Sequence, residues 1–248
     1  MSLETEIAAL TSEARSLLNY FNNKKAGIDS AVQAAIAAVP ESSRSWYVDQ
    51  VAGLDTNLGT TKESPFKTID KAIKSTPAFG ICTVNLLSDY TFEKWIVSTC
   101  AYINITGGSA MSRPKLKPQY LQFDGATYLG GFLLQGPYAT VNLSSVDLVF
   151  PAIAGVSPAP SVQRLCSFLR TTSVVGMAPL LGLCLDAVTV TMDPTFFGSL
   201  IGVTTTPISL NANGVTFPSG FGGKYVSGVA SGTDPKTLTG IITNLSAL

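Results

Sequence analysis

The sequence predicts a mainly β protein: a short right-handed parallel β-helix (solenoid), capped by one helix and preceded by an N-terminal α-helical coiled coil. Three observations carry this expectation. A heptad seam of apolar residues runs through the opening stretch, and a strand–loop–helix segment occupies Trp46 to Pro77. Short β-branched runs then recur at a loose period of about 20 residues, with no helical pattern between them. At 248 residues the chain can bury a substantial core in one large domain with a short appendage.

Residues 1–40 form the first predicted unit. Leu3, Ile7, Leu10, Ala14, Leu17, Phe21 and Ile28 follow alternating steps of four and three, with Lys24 filling the gap before Ile28. Such a seam predicts oligomerisation through Leu3, Ile7, Leu10, Leu17, Phe21 and Ile28, or attachment to another component. Val32, Ile36 and Val39 continue the face after a shift of phase around Gly27. The competing reading is an amphipathic helix lying on its own globular domain. Pro40 stops the helix, and Glu41–Ser45 read as a polar linker.

Residues 41–80 hold the linker and the opening of the β domain. Trp46, Tyr47 and Val48 are aromatic or β-branched and predict a strand. Asp49 to Thr61 is a loop rich in Gly, Asp and Asn, which tolerate tight or left-handed backbone. Ser64 reads as a helix cap and Pro65 as the first helical residue, so a helix is expected from Pro65 to Thr76. Phe66, Ile69, Ala72 and Ile73 share its apolar face, and Pro77 follows the last turn.

Residues 81–223 carry the expected solenoid. Strands are predicted at Thr83–Leu87, Tyr102–Thr106, Tyr120–Phe123, Thr140–Leu143, Gly182–Leu185 and Pro207–Leu210. Taking Leu86, Ile105, Leu121 and Leu143 as marks of successive turns, the steps are 19, 16 and 22 residues. The next 42 residues, to Leu185, are read as two turns through Leu165, and Leu210 follows 25 later. The blocks LSSVDLVF, LDAVTVTM and LNANGVTF, starting at Leu143, Leu185 and Leu210, repeat a pattern of Leu first and a large apolar residue last. The rival architecture is a β-sandwich or jelly roll. A solenoid exposes an unpaired edge at its first turn, and the Pro65 to Thr76 helix is placed to cover it. Residues 224–248 form a closing or docking segment, with a last strand around Tyr225, Val226 and Val229 and an apolar terminus at Leu238, Ile241, Ile242 and Leu245.

Composition narrows the function classes. Sixteen basic residues balance sixteen acidic ones, so no basic excess argues for nucleic acid. Charged residues are only 13% of the chain, and between Thr171 and Gly223 the only charges are Asp186 and Asp193. So little charge points to surface covered by subunit contacts. Cys82, Cys100, Cys166 and Cys184 form no C-x-x-C pair and the chain has no histidine, so buried free thiols are expected rather than a metal or redox site. The first residues are polar and acidic, and the apolar run from Met177 to Leu185 is too short to cross a bilayer. A soluble protein, made in the cytoplasm with no membrane insertion and no cofactor, is the expectation.

The stretch W-Y-V-D-x-x-x-G-x-D-x-N-x-G-T followed by S-P-F-K-T-I-x-x-A-I resembles the N-terminal opening of parallel β-helix proteins, in particular tailed-bacteriophage tail fibres and tailspikes. The matching residues are Trp46 to Asp49, Gly53, Asp55, Asn57, Gly59 and Thr60, then Ser64 to Ile69, Ala72 and Ile73. The heptad helix also resembles the part of tail fibres that precedes such domains, so the likeness covers roughly residues 1–90. The same motif opens pectinase-like enzymes and surface adhesins, so it specifies fold more than function. The resemblance implies a homotrimer in the virion tail, made in the host cytoplasm, that mediates host attachment. Its partners would be other phage tail or baseplate proteins and a bacterial surface receptor, glycan or protein. Two alternatives stay open: a tailspike depolymerase cleaving surface polysaccharide, and a structural connector between the tail and a separate adhesin.

Depolymerase chemistry needs paired carboxylates. Beyond Lys94 the acids are Asp124, Asp147, Asp186, Asp193 and Asp234. Asp147 and Asp186 sit at different offsets within their blocks, and Asp193-Pro194 and Asp234-Pro235 read as turn starters. Without histidine, Ser-His-Asp and Cys-His nucleophiles are excluded within this chain. The only cations the solenoid core offers a lyase are Arg164 and Arg170. No catalytic residue is assigned, and a binder is expected rather than an enzyme. Candidate glycan or partner contacts are Arg113, Lys115 and Lys117, read as an exposed loop between Pro114 and Pro118, and Tyr120, Tyr128 and Tyr138. The tyrosines belong to an aromatic group with Phe123 and Phe132, for which core or intersubunit packing is the favoured reading over a sugar site. SGFGG at Ser219–Gly223 lacks the context of a phosphate loop.

Overall fold

The computed structural model describes residues 2–38, 42–107, 113–136, 138–171, 180–203 and 205–248, with side chains of the first helix described as far as Val32. Val39, Pro40, Glu41 and Met177 lie outside the described residues. The chain is mainly β with one long helix at its N-terminus, and it divides into two units, Met1–Glu41 and Ser42–Leu248.

The first unit is α1 (Leu3–Ala38), a 36-residue helix that runs through Gly27 without a break. All its described side chains are exposed, the apolar seam included: Leu3 is 72% and Phe21 59% accessible. Lys24, which interrupts the seam, lies 5.6 Å from the centroid of the Tyr20 ring.

Among its described residues, the second unit is built from three parallel sheets and one hairpin. The first sheet has seven strands, in the order β1 (Ser43–Val48), β2 (Ile81–Leu86), β5 (Tyr102–Gly107), β10 (Tyr138–Ser144), β13 (Leu180–Asp186), β16 (Ile208–Asn213) and β17 (Ile241–Thr243). The second holds β3 (Tyr90–Phe92), β6 (Lys115–Pro118), β11 (Asp147–Phe150) and β14 (Thr189–Met192). The third holds β4 (Trp95–Ser98), β9 (Gly131–Leu134), β12 (Ser167–Thr171) and β15 (Ser199–Gly202). From β2 onward the chain visits first, second and third sheet in rotation, and each visit adds a strand beside the one laid down a circuit earlier. The last circuit is reduced to single bridges, Thr189–Thr216 and Ile201–Val226, before β17 closes it. Parallel pairing throughout these sheets rules out the antiparallel sandwich.

Strand alternation fills the interior. Cys82, Ile103, Val141, Leu183 and Leu210 lie opposite one another across successive strands of the first sheet, as do Val84, Ile105, Leu143 and Leu185, and all are buried. Phe92, Phe132 and Phe168 meet edge to face at centroid distances of 5.4 to 5.6 Å. Each such side chain contributes roughly 1.5–3 kcal/mol by leaving water. At the corner from first to second sheet, Ser145 (φ 55°), Ala187 (φ 53°) and Gly214 (φ 60°) take the left-handed conformation on successive circuits. Backbone bonds join these corners: Ser145 N–H donates to Asp186 and Ala187 N–H to Asn213, at 3.1 and 2.9 Å.

Several sequence expectations are corrected. The helix after the loop is α2 (Ile69–Lys74), not Pro65 to Thr76. Phe66 is held strand-like instead, its N–H donating to Tyr47 and its carbonyl accepting from Asp49 at 2.9 Å each. Asp55 then ties down the Lys67 and Thr68 amides, and Thr68, not Ser64, caps the helix by accepting from Lys71 N–H. α2 still buries Ile69, Ala72 and Ile73, and it lies beside β1, β2 and β4. Trp46 donates from Nε1 to Thr76 Oγ1 at 2.9 Å and packs on Phe66. The polar linker is shorter than expected because β1 begins at Ser43, pairing with Ile81.

The repeat marks are only partly in register. Ile105, Leu143 and Leu185 pair, but Leu86 lies opposite Gly107, and Leu210 opposite Leu183. Leu143 to Leu185 is one circuit rather than two, because a long loop and a 3₁₀ turn at Gln163–Cys166, which contains Leu165, lie within it. Leu121 belongs to no parallel sheet. It sits in β7 (Tyr120–Phe123), which pairs antiparallel with β8 (Ala126–Leu129) across Asp124-Gly125. Both turn residues have positive φ, 49° and 70°, as a two-residue hairpin of this twist requires. Lys115 and Lys117 lie on strand β6, not in a loop: Leu116 is buried between them, and alternation turns both lysines outward. The last strand is β17, while Val226 makes only a bridge and Tyr225 packs on Phe217 and Phe221.

Candidate functional site

The sequence-predicted contacts do not converge on one site. Arg113 reaches Asp147 at 4.0 Å, and Lys117 pairs with Asp89 at 2.6 Å. Hydrogen bonds from Lys117 and the Lys115 amide hold the Asp89 carboxyl below the usual carboxylate range against the opposing effect of burial. Tyr120 is a structural tie: Oη donates to the Phe197 carbonyl and accepts from its N–H, and burial pushes the phenol up to about 12. Tyr138, at the start of β10, is 68% exposed. Of the acids, Asp147 lies opposite Thr189 and Asp186 opposite Ser144, so the two are not neighbours in the ladder. Asp193 and Asp234 do start turns, accepting from the Thr195 and Lys236 amides.

Tyr128 alone stands in a built cluster. The β7–β8 hairpin folds against the 3₁₀ turn and β12. Thr127 Oγ1 donates to the Pro158 carbonyl, and Cys166 Sγ donates to the Thr127 carbonyl at 3.3 Å. Beside the hairpin, Trp95 of β4 packs on Tyr128 and Phe123 at centroid distances of 5.1 and 5.2 Å. Arg170 of β12 completes the group, its Cζ lying 5.2 Å from both the Trp95 and the Tyr128 ring centroids.

These residues, with Arg164 and Thr171, line a cavity of about 210 Å³. Arg170 is only 6% exposed, and its Nε and Nη2 are buried without a hydrogen-bond partner among the described residues. Burial pulls its guanidinium below the ordinary value, and the like charge of Arg164 adds to this while Tyr128 and Cys166 oppose it. Larger clefts of about 370 and 400 Å³ flank β17, but neither has an aromatic wall or a buried cation. The sequence marks Arg164 and Arg170 only as the cations open to lyase chemistry, and nothing in it marks Trp95. Asp124-Gly125 between Phe123 and Tyr128 signals the hairpin, but no local signal links it to Trp95, Arg164 or Arg170.

Among the described residues no three His, Cys, Asp or Glu side chains are grouped to hold a metal, and no helix is long and apolar enough to cross a membrane. Cys82, Cys100 and Cys166 are buried and Cys184 half-buried, all as free thiols. No protein-family model matches the chain, and neither does any curated protein.

Proposed function

We propose that this chain is a bacteriophage tail-fibre or receptor-binding component that attaches to the host surface as a homotrimer. The observation that carries the reading is the apolar seam of α1, whose described side chains are all exposed. Leu3, Ile7, Leu10, Leu17, Phe21 and Ile28 at heptad spacing support a parallel coiled coil. The rotation of the chain through three parallel sheets supports a parallel β-helix, with α2 covering its first circuit. Three joined β-helices would present one binding surface three times, so weak contacts would add through effective concentration.

Light scattering on the full chain tests the assembly: three chains per particle is the expected mass, and a monomer at micromolar concentration sinks it. Labelled protein is expected to decorate bacterial cells and leave their surface polysaccharide at full length. Shortened polysaccharide in the same incubation would replace attachment with depolymerisation.

A further inference from the structure

We propose that the cavity between the β7–β8 hairpin and β12 is a binding site for a carboxylate-bearing sugar, with Arg170 as its anion contact and Trp95, Phe123 and Tyr128 as its apolar wall. A buried polar group without a partner is costly, and a buried charge more so. Arg170 is buried, yet among the described residues its Nε and Nη2 meet no acceptor. The Trp95 and Tyr128 rings attract its charge from 5.2 Å but do not supply the lone pairs that guanidinium N–H groups require. No acid offsets the charge within the lining, where the second ionic group is another cation, Arg164.

The chemistry of an occupant follows from the walls. A planar guanidinium matches a carboxylate through paired N–H donors. Three aromatic side chains beside it offer apolar faces to the C–H surface of a pyranose ring, which a free inorganic anion would not use. The cavity, about 210 Å³, falls below the usual range for drug-sized ligands and suits a single ring. Phe123, 57% exposed at the hairpin end, leaves one wall open to solvent, so the ring can belong to a longer chain. The site does not depend on the trimer. Only the source of the sugar, a bacterial surface glycan, rests on the attachment reading.

The test is titration of the full-length protein with D-glucuronate and D-galacturonate, with glucose, acetate and inorganic phosphate as comparators. Binding is read by calorimetry and by the indole N–H signal of Trp95. Saturable binding of a uronate that shifts this signal, at least ten-fold tighter than glucose or acetate, is the expected result. Arg170→Met should abolish it, and Arg170→Lys should weaken it about ten-fold or more by removing the planar fork. Should Arg170→Met fail to fold, Phe123→Ala at the exposed rim should still weaken uronate about ten-fold in a folded protein. Equal binding of glucose and uronate, no binding of either uronate, or unchanged binding by the variants overturns the proposal. Phosphate binding as tight as uronate overturns the sugar assignment. Cell attachment that survives Arg170→Met would overturn a surface glycan as the source of the sugar and leave the attachment reading standing. Uronate binding without cell attachment would keep the pocket and sink the attachment reading.

Discussion

Tyr120 and Phe197, far apart in sequence, are joined twice through one oxygen: Tyr120 Oη donates to the Phe197 carbonyl and accepts from its N–H, both at 2.9 Å. The pair fastens the start of the β7–β8 hairpin to the segment before β15. Tyr120→Phe keeps the ring beside Phe196 but strips both bonds and leaves two backbone groups to find other partners. The expected cost is about 1 kcal/mol, because two part-buried backbone groups lose a hydrogen bond that only water could replace. Thermal unfolding should register this as a fall of several degrees, about 2–4 °C per kcal/mol at this size. A melting temperature equal to wild type would show that the tie contributes nothing.

The stacked corners predict substitutions of opposite sign. Ala187 holds φ 53° at the same point of its circuit where Gly214 holds 60°. A left-handed non-glycine residue carries roughly 1–2 kcal/mol of steric cost, and glycine gives back roughly 0.5–1 in backbone entropy. Ala187→Gly should therefore stabilise by about 0.5–1 kcal/mol. A Cβ at Gly214 would meet nothing closer than 3.7 Å, so Gly214→Ala should destabilise by about 1 kcal/mol through backbone strain alone. Denaturant midpoints of the two variants measure both, and a shared sign would refute the account.

What the sequence disclosed follows from which forces are local. Alternation along ICTVNL, YINITG and YATVNLS names strands directly, because every second residue enters one core. The helix of α1 is legible from the regular spacing of its apolar residues. Register was not legible, since circuits of unequal length hide which leucine meets which: Leu86 and Ile105 look equivalent, yet Val84 is the partner of Ile105. The early start of the helix was misplaced because Ser64-Pro65 carries every local helix signal, while the Tyr47–Phe66 and Asp55–Thr68 bonds that outweigh it are formed with distant residues. The candidate site stayed hidden for the same reason. Trp95 and Arg170 lie on strands of different circuits that flank β9 in the third sheet, and the hairpin's fold-back brings Tyr128 to them.

Asp70 predicts a pH dependence. Burial would raise its carboxyl, but hydrogen bonds from Lys74 and Lys94, at 2.9 Å each, hold it below the usual range. A carboxyl lowered on folding contributes stability that is present above its unfolded value near 3.9 and lost as pH falls through the folded value. Both lysines are more than half exposed, so solvent screening keeps the contribution to about 1 kcal/mol. Asp70→Asn should cost that amount at pH 7, and the gap from wild type should close as the pH is taken below about 4. A gap that stays constant down to pH 2 would assign the loss to packing instead of charge.

The seam of α1 yields the sharpest test of assembly. A lone helix in water draws little stability from its own backbone, and most comes from burying an apolar face. Leu10 and Leu17 are 68% and 57% exposed in the single chain, so in the proposed trimer each would gain roughly 1.5–3 kcal/mol per chain on burial. Placing Asp at both positions would instead bring six carboxylates toward one axis. The double variant Leu10→Asp, Leu17→Asp should run at one third of the wild-type mass in light scattering and lose much of its helical circular dichroism. The β unit, which is compact without residues 1–41, should melt as before once both proteins are compared at equal chain concentration. If the variant keeps the wild-type mass, the helix does not join the chains and the contact must be sought on the sheets.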